Sequence, residues 1–115
     1  MSVFVNLTPH PVVIRRPDGS EFTIAPSGNV ARVESIEECL HDMEGIPVIR
    51  RRWGDVQPGT SIEPGKIYIV SSLVLNALEG RHSQWLPSMV APDTGPTAIR
   101  DEKGQILAVT RLVMA

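Results

Sequence analysis

The 115-residue chain has a single cysteine, Cys39. That excludes an intramolecular disulfide and any zinc site built on several thiolates. A reducing cytosol is the compartment that fits. No apolar run approaches the roughly 20 residues of a membrane helix, so no membrane contact is expected. The opening residues, Met1-Ser2-Val3-Phe4-Val5-Asn6, lack a basic stretch followed by a long apolar one, so no secretory leader is expected. Lysine is scarce as well. Lys66 and Lys103 are the only two, and the other basic residues are arginines, giving a net charge of −2. So balanced a chain has a weak electrostatic footing for long nucleic acid. The histidines, His10, His41 and His82, fall in no H-x-x-x-H or H-E-x-x-H spacing, so neither a metal nor another cofactor is expected.

What is present fits an ordinary folded domain. Apolar residues make up 42% and charged residues 21% of the chain, close to the globular average, and the length suits one domain spanning residues 1–115. Ten prolines and nine glycines are scattered rather than clustered, which predicts many short elements and no linker. Val12–Arg16 and Glu21–Ile24 flank Pro17-Asp18-Gly19-Ser20 and read as a β-hairpin. Ala98–Arg100 and Gln105–Val113 flank a second turn, Asp101–Gly104. Lys66–Val70 is the best strand, and Ile46–Trp53 is another that Pro47 confines to a start or an edge. Residues 54–65 read as a long loop, and Trp85, Leu86, Met89 and Val90 as one short strand.

Two helices are expected. Ser35-Ile36-Glu37-Glu38 forms a capping box, Ile36, Cys39, Leu40 and Met43 recur at helical spacing, and Gly45 can end the helix. The second helix, Leu73–Glu79, is opened by Ser71-Ser72 and closed by Gly80. The strands do not alternate regularly with helices. The expectation is therefore an α+β fold: a mainly antiparallel, curled sheet with two short helices.

Three polar constellations stand out. In Asn6-Leu7-Thr8-Pro9-His10-Pro11 the prolines fix the backbone around His10. If the stretch is extended, Asn6, Thr8 and His10 form one row of amide, hydroxyl and imidazole; a hydrogen-bonded bend explains the same residues. Tyr68-Ile69-Val70-Ser71-Ser72 ends a strand and opens a helix, where hydroxyls and free amides can hold an anion or simply cap the helix. Arg50-Arg51-Arg52-Trp53 places Arg50 and Arg52 on one strand face and Arg51 and Trp53 on the other, either as an interface or as a solvated edge. Arg32 and Arg111 lie in apolar strand runs, and Arg81 follows the second helix. Guanidinium forks at those positions would read phosphate or carboxylate bidentately.

The phrases Asn6-Leu7-Thr8-Pro9-His10, Ser27–Val33 and Tyr68–Val74, with Arg81 after them, resemble a group of small phage and prophage proteins that open with N-L-T-P-H and carry Y-I-V-S-x-L-V. In this chain Arg81 is followed by His82-Ser83, where the group has an acidic residue. The resemblance implies a phage accessory protein acting in the cytoplasm of an infected bacterium, in host takeover or counter-defence. The expected activity is sequestration without turnover of a small anionic ligand, with a nucleotide-derived signal as the candidate. Its binding residues would be Asn6, Thr8, His10, Arg32, Tyr68, Ser71, Ser72, Arg81 and Arg111. So small a chain offers only a shallow pocket, so a homo-oligomer is expected. The alternatives are an inhibitor that binds a host enzyme through Arg50, Arg52 and Trp53, a small hydrolase or lyase using His10 as base, and a minor virion or assembly component.

Overall fold

The structure is a computed structural model describing residues 3–115. In chain order its elements are β1 (Phe4–Asn6), β2 (Val12–Arg15), β3 (Glu21–Ile24), β4 (Arg32–Met43), β5 (Ile46–Gln57), β6 (Ile67–Ile69), helix α1 (Ser72–Leu78), a 3₁₀ turn (Ser83–Ser88), β7 (Met89–Pro92), β8 (Ile99–Arg100), β9 (Ile106–Ala108) and β10 (Leu112–Val113). The chain is strand-rich with little helix, and its small sheets are mostly antiparallel. A single curled sheet is not what forms. A four-stranded sheet runs in the order β1-β6-β7-β10, and β2-β3, β4-β5 and β8-β9 are separate two-stranded ribbons. Within the larger sheet β1, β6 and β7 are mutually parallel, and β10 runs against β7.

That sheet is buried on both sides, and its strands alternate accordingly. Tyr68, Val70, Met89 and Ala91 face α1, where they pack with Leu7, Val74, Leu75 and Leu78. Ile69 and Val90 face the β2–β3 hairpin and meet Val12, Ile14, Ile24 and Val109. Period-two side chains on a doubly covered sheet read in sequence as continuous apolar runs, which is why Ile67-Tyr68-Ile69-Val70 stood out. The β2–β3 hairpin forms where expected. Gly19, at φ 89°, takes the left-handed position of its turn and donates its N–H to Arg16 O at 2.9 Å.

The first expected helix is instead strand β4, paired along its length with β5. Three local features outweigh the capping box. Glu44 and Gly45 both have positive φ, 51° and 80°, so they form the two-residue turn whose twist matches a hairpin. Ile46, Val48 and Ile49 supply a β-branched partner strand. A bulge between Cys39 and His41 adds one residue at Leu40, which turns strand alternation into spacing that mimics a helix. The acids that suited a helix start now face arginines, with Glu37 accepting from Arg51 at 2.8 Å. The ribbon projects as an arm: the radius of gyration is 16.7 Å, where a compact chain of this length would have about 13 Å.

The remaining boundaries shift less. The expected loop at 54–65 begins later, because β5 continues to Gln57. Trp85 and Leu86 lie in the 3₁₀ turn, so the following strand starts at Met89. The final strand breaks at Thr110-Arg111, where the chain leaves β8 and crosses to β7 as β10. No helix among the described residues is long and apolar enough to cross a membrane.

Candidate functional site

The carboxyl ends of β1, β6 and β7 point the same way, because the three strands are parallel. Each is followed by a segment carrying hydroxyls: Thr8 after β1, Ser71 and Ser72 after β6, and Thr94 after β7. All four line one cavity of about 540 Å³, together with His10. In open sheets, ligands commonly sit beyond the carboxyl ends of parallel strands.

The opposite wall is apolar. Val13 O accepts from Val109 N, and Val109 O accepts from Arg15 N, both at 2.9 Å. These bonds lay Ile106–Val109 along Val12-Val13 and close the cavity's second side. Ile106 and Leu107 remain exposed there. An apolar wall with a few convergent polar groups is the usual composition of a small-molecule site, and about 540 Å³ lies within the usual range of roughly 300–1,000 Å³.

The Asn6–His10 phrase reaches the cavity through a bend, not as an extended row. Asn6 is 1% exposed. Its Nδ2 donates to His10 O at 2.8 Å and to Ile24 O at 3.0 Å, and its Oδ1 accepts from Thr8 N at 2.9 Å and Thr8 Oγ1 at 2.7 Å. Asn6 thus shapes the loop that presents His10 and contributes no atom to the cavity lining. Tyr68 is equally buried, its hydroxyl accepting from Glu63 N at 2.9 Å and lying 3.2 Å from Ser61 O. Ser71 caps α1, its hydroxyl accepting from Val74 N at 3.2 Å. The side chains of His10, Ser72 and Thr94 make no hydrogen bond or ion pair among the described residues, so their polar atoms are available to a ligand.

The arginines do not gather here. Arg81 lies past the far end of α1, donating to Trp53 O at 3.2 Å. Arg32 is exposed on β4 at the base of the arm. Arg111 stands beside the cavity, donating to Asp93 Oδ2 from Nε at 2.9 Å and Nη2 at 2.6 Å, and Asp93 sits between the lining residues Pro92 and Thr94. Arg100 holds the same loop, donating to Thr94 O and Gly104 O at 2.7 Å each. Arg50, Arg52 and Trp53 are on the arm, well separated from the cavity in the chain's topology. Of the nine expected ligand residues, the cavity unites Thr8, His10, Ser71 and Ser72.

No carboxylate and no Lys or Arg lines the cavity among the described residues, and His10 is its one ionisable group. No group of three or more His, Cys, Asp or Glu among them could hold a metal ion. At the rim, the Gly95 N–H, followed by Arg111, holds the Asp93 carboxyl below its ordinary value of 3.8. A depressed folded-state pKa contributes stability above the ordinary carboxylate value, which is lost as pH falls through the folded pKa. Asp93→Asn should therefore destabilise the protein at neutral pH, and its gap from wild type in urea melts should close as pH drops below 3.8. A gap that stays constant in acid would show that Asp93 ionisation does not tie this rim.

Thr94, Pro92 and the Ile106–Val109 wall are site residues that sequence reasoning missed. One usable signal was Asp93-Thr94-Gly95 at the end of an apolar run, the same strand-then-hydroxyl pattern as Tyr68–Ser72. The β9 wall had no local signal, since it depends on pairing with a hairpin nearly a whole chain away. No family model, curated protein or solved structure matches this chain. The functional reading therefore rests on the chemistry of the cavity.

Proposed function

We propose that the protein binds and sequesters a small anionic ligand of nucleotide type in the cavity between Thr8-His10, Ser71-Ser72 and Ile106–Val109. The observation that carries this reading is the convergence of three parallel strand ends on one cavity with hydroxyls and an imidazole on one side and an apolar wall on the other. The wall suits the flat face of a base. The free hydroxyls and His10 suit phosphate oxygens or ribose hydroxyls, and the lining holds no carboxylate to repel an anion. Arg111 is within one loop of the lining and can exchange part of its Asp93 contact for a ligand oxygen. Retention without turnover is favoured because the Ser71 hydroxyl is engaged in capping and His10 has no carboxylate partner among the described residues to orient it as a base. The resemblance to small phage and prophage proteins supplies the context, an accessory protein of an infected bacterial cytoplasm.

Isothermal titration calorimetry against nucleoside monophosphates, cyclic mononucleotides and cyclic dinucleotides tests this directly. At least one member should bind at a single site per chain and be recovered chemically intact after prolonged incubation. Folded protein that gives no heat with any of them would refute the reading. Recovery of a hydrolysed product would replace it with the enzyme alternative that uses His10.

A further inference from the structure

The β4–β5 arm is the largest feature that the cavity leaves unexplained. Six of the twelve exposed large apolar side chains among the described residues lie on it: Ile36, Leu40, Met43, Ile46, Ile49 and Trp53. From the Ser35–Trp53 pair outward to the tip, none of its residues is buried. A lone two-stranded ribbon is at best marginally stable in water, so an arm carrying this much apolar surface needs a cover.

Its charges say what the cover is. β4 carries Glu34, Glu37, Glu38 and Asp42, whereas Arg50, Arg51 and Arg52 are on β5. The register sets these strands side by side, with Glu37 opposite Arg51 and Glu38 opposite Arg50. One edge of the ribbon is therefore acidic and the other basic. Because side chains alternate between faces and paired residues share one, Ile36, Glu38, His41 and Met43 lie on one face with Ile46, Val48, Arg50 and Arg52, so Glu38 is the acid and Arg50 and Arg52 the bases of that face. That face holds the arm's three most exposed apolar side chains, Ile46 at 64%, Met43 at 55% and Ile36 at 48%.

We infer that this face docks on the same face of a second copy of the chain, about a two-fold axis parallel to the arm. A two-fold along the ribbon lays the acidic strand of one copy over the basic strand of the other. Glu38 then meets the other copy's arginine at position 50, and Met43 its isoleucine at position 46. A two-fold across the ribbon would instead stack acid on acid and base on base, so charge selects the first arrangement. A strand of 12 residues spans about 40 Å at ~3.4 Å per residue, and a two-stranded ribbon is about 10 Å wide, so one face offers ~400 Å² in projection. Two such faces total ~800 Å² in projection, below the ~1,000 Å² that a stable interface clears, so the dimer is a weak, transient one whose association depends on concentration. The intramolecular bridges do not compete strongly, because Glu37–Arg51 and Glu38–Arg52 are roughly half exposed.

Sedimentation velocity of the full chain from low micromolar to near-millimolar concentration tests the inference. Wild type should pass from monomer to dimer. Ile46→Asp, at an exposed position, should weaken the dimer about thirtyfold or more, with an unchanged melting temperature at low micromolar concentration, where both proteins are monomers. The double variant R50E/R52E should weaken it at least about tenfold, and the exchange E38R/R50E, which keeps opposite charges facing one another, should restore it. A chain that stays monomeric throughout overturns the inference, including one that instead captures a host protein through the arm. A dimer indifferent to Ile46→Asp and to R50E/R52E overturns it equally. None of these outcomes depends on the cavity, whose ligand binding should be unchanged in all three variants.

Discussion

Asn6→Asp should be the most damaging single-atom change available in this protein. The substitution keeps the shape of the side chain and exchanges an amide nitrogen for an oxygen. In the native chain that nitrogen donates to two carbonyls, His10 O at 2.8 Å and Ile24 O at 3.0 Å. A carboxylate there would face both carbonyls with lone pairs, at a residue 1% exposed. Both carbonyls lose this donor, that of Ile24 in a buried bond, and a charge is desolvated with only the Thr8 N–H and hydroxyl that already bind Oδ1 to offset it. The cost should be about 4 kcal/mol, at the upper end for point substitutions, which lowers the melting temperature by about 15 °C for a domain of this size. Protonation returns one donor, so the penalty relative to wild type should be smaller in acid and grow as pH rises through the raised pKa of the new carboxyl. Urea melts of both proteins across pH would show it. A loss below about 1 kcal/mol would mean that the bend is held without Asn6.

Ser72→Trp should have the largest effect on binding. Ser72 is exposed, is the first residue of α1 and lines the cavity. Its side chain makes no hydrogen bond among the described residues, so nothing structural is lost on replacing it. An indole at that point projects into a space of about 540 Å³ and takes up a large part of it. Affinity for whichever nucleotide titrates with wild type should fall at least about a hundredfold, while the melting temperature moves by no more than about 3 °C. Leu73→Trp is the control: Leu73 is also exposed but does not line the cavity, so binding should survive. Equal binding by Ser72→Trp and wild type would place the ligand elsewhere on the molecule.

The two substitutions mark different depths of legibility. Asn6-Leu7-Thr8-Pro9-His10 was visible as a polar phrase, and so was Tyr68–Ser72. What the sequence could not assign was which hydroxyl or amide serves the fold and which serves a ligand. That choice depends on partners distant in the chain: Asn6 is tied to Ile24 and Tyr68 to the loop at Ser61 and Glu63. The arginines show the same gap. Arg81 and Arg111 have the chemistry of anion readers, yet one holds a backbone carbonyl of the arm and the other a rim carboxylate.

Residues 35–44 are the sharpest case. A capping box and apolar spacing of three and four are real helical signals, worth about 1 kcal/mol for the cap. They lost to a hairpin whose turn, Glu44-Gly45, and partner strand, Ile46–Gln57, come next in sequence. The competing signal was therefore local as well, but it lay in a pairing across the turn, and a bulge at Leu40 disguised the alternation that would have announced it.

Some properties were decided by the sequence alone: the absence of a disulfide within the 115 residues, the first hairpin with its Pro-Asp-Gly turn, the strand into α1 and the polar phrases at strand ends. These rest on composition, turn chemistry and period, which act within a few residues. Tertiary structure alone decided the parallel order β1-β6-β7, the convergence of their carboxyl ends, the β9 wall and the projection of the arm. Parallel pairing joins residues more than sixty positions apart, as Phe4 with Ile67. Nothing in either segment specifies the other except the apolar surface that both bury when they meet.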